Sequence, residues 1–174
     1  MRWSVASGLN QLGYVYRFQG NLASARVALE ESLGICREIH DQWGVSVCLT
    51  GLGYVALGEG QNETAGKDFR EGLRVAIQVP VLQVALEIIA GLAELEARAG
   101  RTARALELLG LAFHHPASRR ETYLEAEQLL QKLKAQHPAE LVEAALRRGG
   151  TFEIEAVAAE LAPLEKPKDL GFML

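Results

Sequence analysis

Leu12-Gly13-Tyr14-Val15-Tyr16, followed by Gly20 and Ala25, returns forty residues later as Leu52-Gly53-Tyr54-Val55-Ala56 with Gly60 and Ala65, and again as Leu92-Ala93 with Gly100 and Ala105. The same offset aligns Leu29, Phe69 and Leu109, then Leu33, Leu73 and Phe113, spacings that place them on one buried helical stripe. Each unit consists of two apolar-periodic runs separated at its glycine, which reads as a helix, a tight turn and an antiparallel helix.

Glycine inside a helix costs roughly 1 kcal/mol relative to alanine. Gly13 and Gly53 therefore predict a close approach between the two helices of a hairpin, with Ala25, Ala65 and Ala105 as the small facing residues and Ala93 taking the glycine's place in the third unit. Gly20, Gly60 and Gly100 are suited to the left-handed conformation that ends a helix, and Asn21, Asn62 and Thr102 are the expected N-caps of the next. The pattern predicts helices near 2–19, 22–39, 43–58, 62–78, 81–99 and 102–114.

Pro116 should then stop the sixth helix, with Ser118 and Glu121 as a capping box for another running to about 136. Pro138 opens a short helix that ends at Gly149-Gly150, and Thr151 is the expected cap of a last helix carrying Ile154, Val157, Leu161 and Leu164 on one face. No stretch alternates as a half-buried strand would, so the fold class is all-α with essentially no sheet. Three hairpins over 1–115, capping helices over 116–164 and a tail over 165–174 are the expected domains.

The chain has 174 residues, 49% hydrophobic and 23% charged, enough apolar surface for a folded core. Its net charge of −4 gives no overall attraction to nucleic acid. Arg119-Arg120 and Arg147-Arg148 lie beside acids and not among aromatics, so no nucleic acid is expected as a partner. The apolar runs at 79–86 and 88–95 are interrupted by Gln83, Glu87 and Glu94 and fall short of a membrane span. Met1-Arg2-Trp3-Ser4 leads into a helix pattern with no apolar signal region, and Cys36 and Cys48 lack metal-ligand or redox spacing. These features predict a cytoplasmic chain with reduced, packed cysteines.

No catalytic constellation emerges. His40, His114, His115 and His137 form no ligand set, so neither a metal nor a cofactor is expected. Cys36 and His40 stand four apart near a helix end, the spacing of a poised thiolate but also of simple packing. Glu87 and Glu94 could face the same way with Arg98, an arrangement that reads as a polar surface better than as an acid and base pair. The chain is expected not to be an enzyme.

The Leu-Gly-Tyr signature with its following glycine and alanine resembles the tetratricopeptide repeat family over residues 6 to 115. Gly13 and Tyr16 fit the family's small and aromatic positions, while Ala56 and Glu96 replace the tyrosine later. The forty-residue period exceeds the family's usual length of about 34 residues. It is similar to the longer repeats in the helical sensor arms of large bacterial transcription regulators. Tyr123-Leu124, Ala144-Ala145-Leu146-Arg147-Arg148-Gly149-Gly150 and Glu155-Ala156-Val157 resemble the C-terminal end of such regulators and of related signal-transduction ATPases, although no GxxxxGK[ST] loop is present.

The resemblance implies a right-handed superhelical α-solenoid whose first helices form a concave binding face. Carrying the groove positions over gives Asn10, Gln11, Tyr14 and Arg17, then Thr50 and Tyr54, then Glu87, Glu94 and Arg98 as partner-binding residues. Asn10 would hold a peptide backbone by donating and accepting at once, and the tyrosines would add rigid contact area. A protein or peptide is the implied partner. The alternatives are an oligomerisation module, meeting a second copy through the apolar first helix at Trp3, Val5, Leu9 and Leu12 or through Leu170, Phe172, Met173 and Leu174, and a small-molecule sensor with its ligand between the repeats and the C-terminal helices. That apolar first helix also fits a related unit lying upstream.

Overall fold

A computed structural model describes residues 1–79, 81–118 and 120–163, with the side chains of 120–123 outside the description. Five helices of 17 residues follow one another at a constant spacing: α1 (Arg2–Phe18), α2 (Leu22–Glu38), α3 (Gln42–Gly58), α4 (Asn62–Gln78) and α5 (Leu82–Arg98). They are followed by α6 (Thr102–His114), α7 (Arg120–Gln136), α8 (Ala139–Gly149) and α9 (Ile154–Leu161). No strand occurs among the described residues.

The constant spacing comes from one turn used repeatedly. Gly20, Gly60 and Gly100 adopt φ of 77°, 76° and 77°. The next residue's N–H then reaches back to a carbonyl of the preceding helix: Asn21 to Tyr16 at 2.9 Å, Gln61 to Ala56 at 2.8 Å and Arg101 to Glu96 at 2.9 Å. Between α2 and α3 the same turn is made by His40 at φ 57°, a position with no glycine to announce it.

This turn also corrects two expected caps. It fixes the N-cap at position 21, 61 or 101 whatever the side chain. Asn21 does cap α2, accepting from the Ser24 N–H at 3.2 Å, and Asp41 caps α3 through Gly44 at 2.9 Å. Asn62 and Thr102 lie one residue inside their helices, behind Gln61 and Arg101, which make no side-chain cap bond. Thr151 likewise does not cap the last helix. Its hydroxyl donates to the Arg148 carbonyl at 2.8 Å, closing α8, and α9 starts after Glu153. The Ser118 hydroxyl donates back to the Ala112 carbonyl. The side chains of Arg120, of Glu121 (the other half of that capping box) and of Tyr123, and the whole of Arg119, Leu164 and the tail over 165–174, lie outside the description.

Helices pair as α1 with α2, α3 with α4 and α5 with α6, each pair packs on the next, and α1, α3 and α5 adjoin along one side. Ala25, Ala65 and Ala105 are fully buried as expected, and so are Leu29, Phe69 and Leu109. The helical glycines make room chiefly for those larger side chains. A methyl at Gly13 would fall 2.6 Å from Leu29 Cγ, and one at Gly53 would fall 2.5 Å from Phe69 Cε1. Gly51 and Gly91, on the following hairpins, meet the same two side chains from the opposite side. Each wedge therefore locks two successive hairpins together, which accounts for tolerating glycine at these helical positions.

Beyond the hairpins, α8 packs closely on α6, α7 lies against α5 and α6, and α9 touches α4. Ala126, Leu129, Leu130 and Leu133 anchor α7 in the larger core cluster. No helix among the described residues is long and apolar enough to cross a membrane.

On the outer side, Arg37 of α2 pairs with Glu71 of α4 at 2.7 Å. Asp68 stands close by, its carboxyl pushed up to about 6 by burial first and by Glu71 and Glu30, with Arg26 opposing. An acid raised in the folded state loses its proton first in the unfolded chain, so this group removes stability as pH rises from about 4 to about 6. Asp68→Asn should be indistinguishable from wild type in urea unfolding at pH 4 and more stable at pH 7, by on the order of 1 kcal/mol once solvent screening is allowed for.

Candidate functional site

The α1/α3/α5 side is stitched by a repeated bond. The Tyr14 hydroxyl donates to the Val47 carbonyl at 3.3 Å, and the Tyr54 hydroxyl donates to the Glu87 carbonyl at 2.9 Å. A helical carbonyl has a second lone pair for such a bond. Both phenols are pushed well above their ordinary range by burial, Tyr14 further by Glu87 and Tyr54 further by Glu125 and Glu87. The hydroxyls of these two tyrosines, expected to give a partner rigid contact area, are thus engaged within the protein, and the rings form the wall.

Arg17, in the last turn of α1, is the centre of this side. Its guanidinium carbon lies 4.4 Å from the Phe18 ring centroid, 4.9 Å from that of Tyr54 and 5.2 Å from that of Tyr14. Its Nη1 donates to the Glu125 carboxylate of α7, a residue 108 positions away. The side chain is 9% exposed, and its Nε is buried without a hydrogen-bond acceptor among the described residues. Burial alone would depress its pKa, but the Glu125 carboxylate outweighs it and the net direction is upward. Three aromatic faces and one carboxylate compensate the desolvated cation.

The Arg17 and Glu125 pair lines two cavities. One, of about 560 Å³, is lined by Asn10, Gln11, Tyr14, Phe18, Trp43, Val47, Gln83 and Glu87 besides the pair itself. The other, of about 400 Å³, has Tyr54, Glu94, Arg98, Gln128 and Lys132 on its walls with the same pair. Eight of the nine predicted contact residues therefore line one or both. Glu87 and Glu94 fall in different cavities, so they do not converge as a carboxylate pair.

Thr50 is the exception. It is fully buried, with its hydroxyl donating to the Ser46 carbonyl at 2.8 Å. Asn10 is its equivalent in the first hairpin, but α3 is flanked by both α1 and α5, which cover the position. Arg98 lines a cavity while binding inward: Nε to Glu94 at 2.8 Å, and Nη1 to the Leu57 carbonyl at 3.0 Å and to Asn62 Oδ1 at 3.1 Å. Asn10 donates from Nδ2 to Cys48 Sγ at 3.3 Å, so part of its amide is occupied.

Sequence reasoning missed Glu125, Trp43 and Phe18. The forty-residue offset could have pointed to the α3 stripe, since Val47 is the counterpart of Glu87. Nothing in the repeat could have pointed to Glu125, which lies on a helix outside it.

Cys36 and Cys48 are free and buried, and the Cys36 thiol is pushed up to about 11 by burial and then by Cys48 and Asp41. That is opposite in direction to an activated thiolate. Among the described residues no three His, Cys, Asp or Glu side chains are grouped to hold a metal ion.

A family model described as the tetratricopeptide repeat matches residues 4–78. No curated protein and no solved structure matches the chain. The match ends on the last residue of α4, and α5 with α6 repeats the same helix pairing beyond it. Residues 4–78 thus carry a tetratricopeptide-like repeat motif within an all-helical, helix-pair repeat structure.

Proposed function

We propose that this chain is a non-catalytic binding module for a protein or peptide, a regulatory or sensor unit of the kind found in the helical arms of large bacterial transcription regulators. Its three hairpins over 1–115 form a right-handed superhelical stack that offers the α1/α3/α5 side as a concave face, and the helices over 116–164 cap it. The single observation that carries this reading is the 560 Å³ cavity, where Gln11, Trp43, Val47 and Glu87 bring amide, aromatic, aliphatic and carboxylate groups together. Trp43 is 49% exposed, a rigid ring available to a partner.

The test is to select peptides on the wild-type chain from a random display library and measure them against Gln11→Ala/Trp43→Ala, two exposed positions outside the core. Selected peptides should lose at least about tenfold in affinity. Undiminished binding to the double variant would remove this face as the binding surface.

A second reading, self-association, is favoured by the first helix. Leu9 and Leu12 are the counterparts of Leu49 and Leu52, which pack with Leu29 and Leu33 of α2, yet they line an open groove of about 450 Å³ with Tyr16 and Val27. Trp3, Val5 and Val15 are also exposed on α1. Light scattering that finds a dimer, dissociated by Leu12→Lys, would favour this reading.

A further inference from the structure

Among the described residues, Arg17 and Glu125 are the two that line both cavities, and their contact lies where the two meet. Arg17 is poorly served by it. The bond to Glu125 uses Nη1, while Nε stays buried without an acceptor among the described residues, a deficit that in a charged donor costs more than in a neutral one. Glu125 itself is 27% exposed. Its neighbours Ala126, Leu129 and Leu133 hold α7 in the core, so the glutamate can swing away by a side-chain rotation with the helix still docked.

We propose that Glu125 is an internal stand-in for the carboxylate of an acidic peptide: the peptide's carboxylate takes the Arg17 guanidinium, Glu125 turns to solvent, and the two cavities join into one groove. A ligand carboxylate is not tethered to α7 and is free to lie side-on, meeting Nε as well as Nη1, a two-bond geometry that Glu125 does not make here. Charge complementarity favours an anion on the side of the second cavity, the Glu87 carboxylate lying in the first. With Glu125 turned away, the second cavity presents Arg17, Arg98 and Lys132 against Glu94, and Glu94 is already paired with Arg98 at 2.8 Å. The first cavity supplies the neighbouring preference, because Phe18, Trp43 and Val47 would receive an apolar side chain beside the acidic one. The inference rests on the reading of this side as a peptide-binding face and adds its specificity and its gate.

The probes are two fluorescein-labelled pools of nonapeptides with randomised neighbours, one with a central glutamate and one with a central glutamine. They are titrated against the full chain, its Glu125→Gln variant and its Arg17→Gln variant, while the Arg17 Nε–H resonance is followed in 15N-labelled wild type. The glutamate pool should bind about tenfold tighter than the glutamine pool and shift that resonance. Glu125→Gln, which removes the competing charge, should tighten the glutamate pool by a further factor of about ten, and Arg17→Gln should erase the preference. If Arg17→Gln does not fold, the Glu125→Gln comparison and the resonance still decide. Equal binding of both pools to wild type and Glu125→Gln, with the Nε–H signal unmoved, overturns the proposal and leaves the peptide-binding face standing. Failure of both pools, together with undiminished binding of display-selected peptides to Gln11→Ala/Trp43→Ala, overturns both.

Discussion

Replacing Gly149 with alanine is expected to cost about 3 kcal/mol and to lower the thermal midpoint by roughly 6–12 °C. The added methyl would overlap the Glu107 carbonyl oxygen of α6, far inside van der Waals contact distance, with Glu107 C and Cα at 2.6 and 2.8 Å. Backbone cannot rotate aside as a side chain can, so α8 would have to move off α6. The contact is reciprocal: a methyl at Gly110 of α6 would overlap the Leu146 carbonyl of α8 and lie 2.9 Å from Leu146 C. Movement would also strain the ion pair between Arg148 and Glu107, 2.7 Å long across the same crossing. Since either methyl alone forces the helices apart, Gly110→Ala/Gly149→Ala should be less destabilised than the two single losses added. Gly34→Ala, with nothing within 4 Å of the new methyl, is the control and should gain about 0.5–1 kcal/mol. Thermal unfolding followed by circular dichroism decides; a Gly149→Ala midpoint within a degree of wild type would mean that α6 and α8 do not approach this closely.

The readability of this fold from its sequence follows from how local each determinant is. Gly20, Gly60 and Gly100 end helices by their own conformational freedom, so the hairpin turns could be read directly. His40 makes the same turn under the constraint of the packed helices on either side, and no local signal announces it. The forty-residue offset identified Leu29 and Phe69 as buried, but their second glycine partners, Gly51 and Gly91, belong to the contact between hairpins. Periodicity states which face of a helix is covered, not which helix covers it. The site divides in the same way. Asn10, Gln11, Tyr14 and Arg17 could be grouped through the groove positions that the family resemblance implies, and they line one cavity, whereas Glu125 reaches Arg17 only through the path of α7. Thr50 was misplaced because its register position is open in the first hairpin and closed in the second, a difference made by neighbours and not by the repeat.

Phe69 joins stability to the site, and Phe69→Ala is expected to cost about 4 kcal/mol, a midpoint drop of roughly 8–16 °C. The ring is fully buried between Gly53 of its own hairpin and Gly91 of the next, and it meets Tyr54 edge-on with centroids 5.1 Å apart. Tyr54 in turn stacks on Arg17 and bonds the Glu87 carbonyl. A void at position 69 therefore loosens two hairpins and one wall of the Arg17 cage. The decisive comparison adds a methyl back. In wild type, Gly53→Ala places a Cβ 2.5 Å from Phe69 Cε1 and should destabilise by about 1–3 kcal/mol. In the Phe69→Ala background the ring is gone, the methyl fills part of the void, and alanine's helix propensity adds roughly 1 kcal/mol, so the same change should stabilise. The double-mutant cycle should give a coupling of about 2 kcal/mol or more with this reversal of sign. A Gly53→Ala cost that is the same in both backgrounds would show that something other than the ring requires glycine there, and the wedge would cease to explain why glycine persists in the middle of α3.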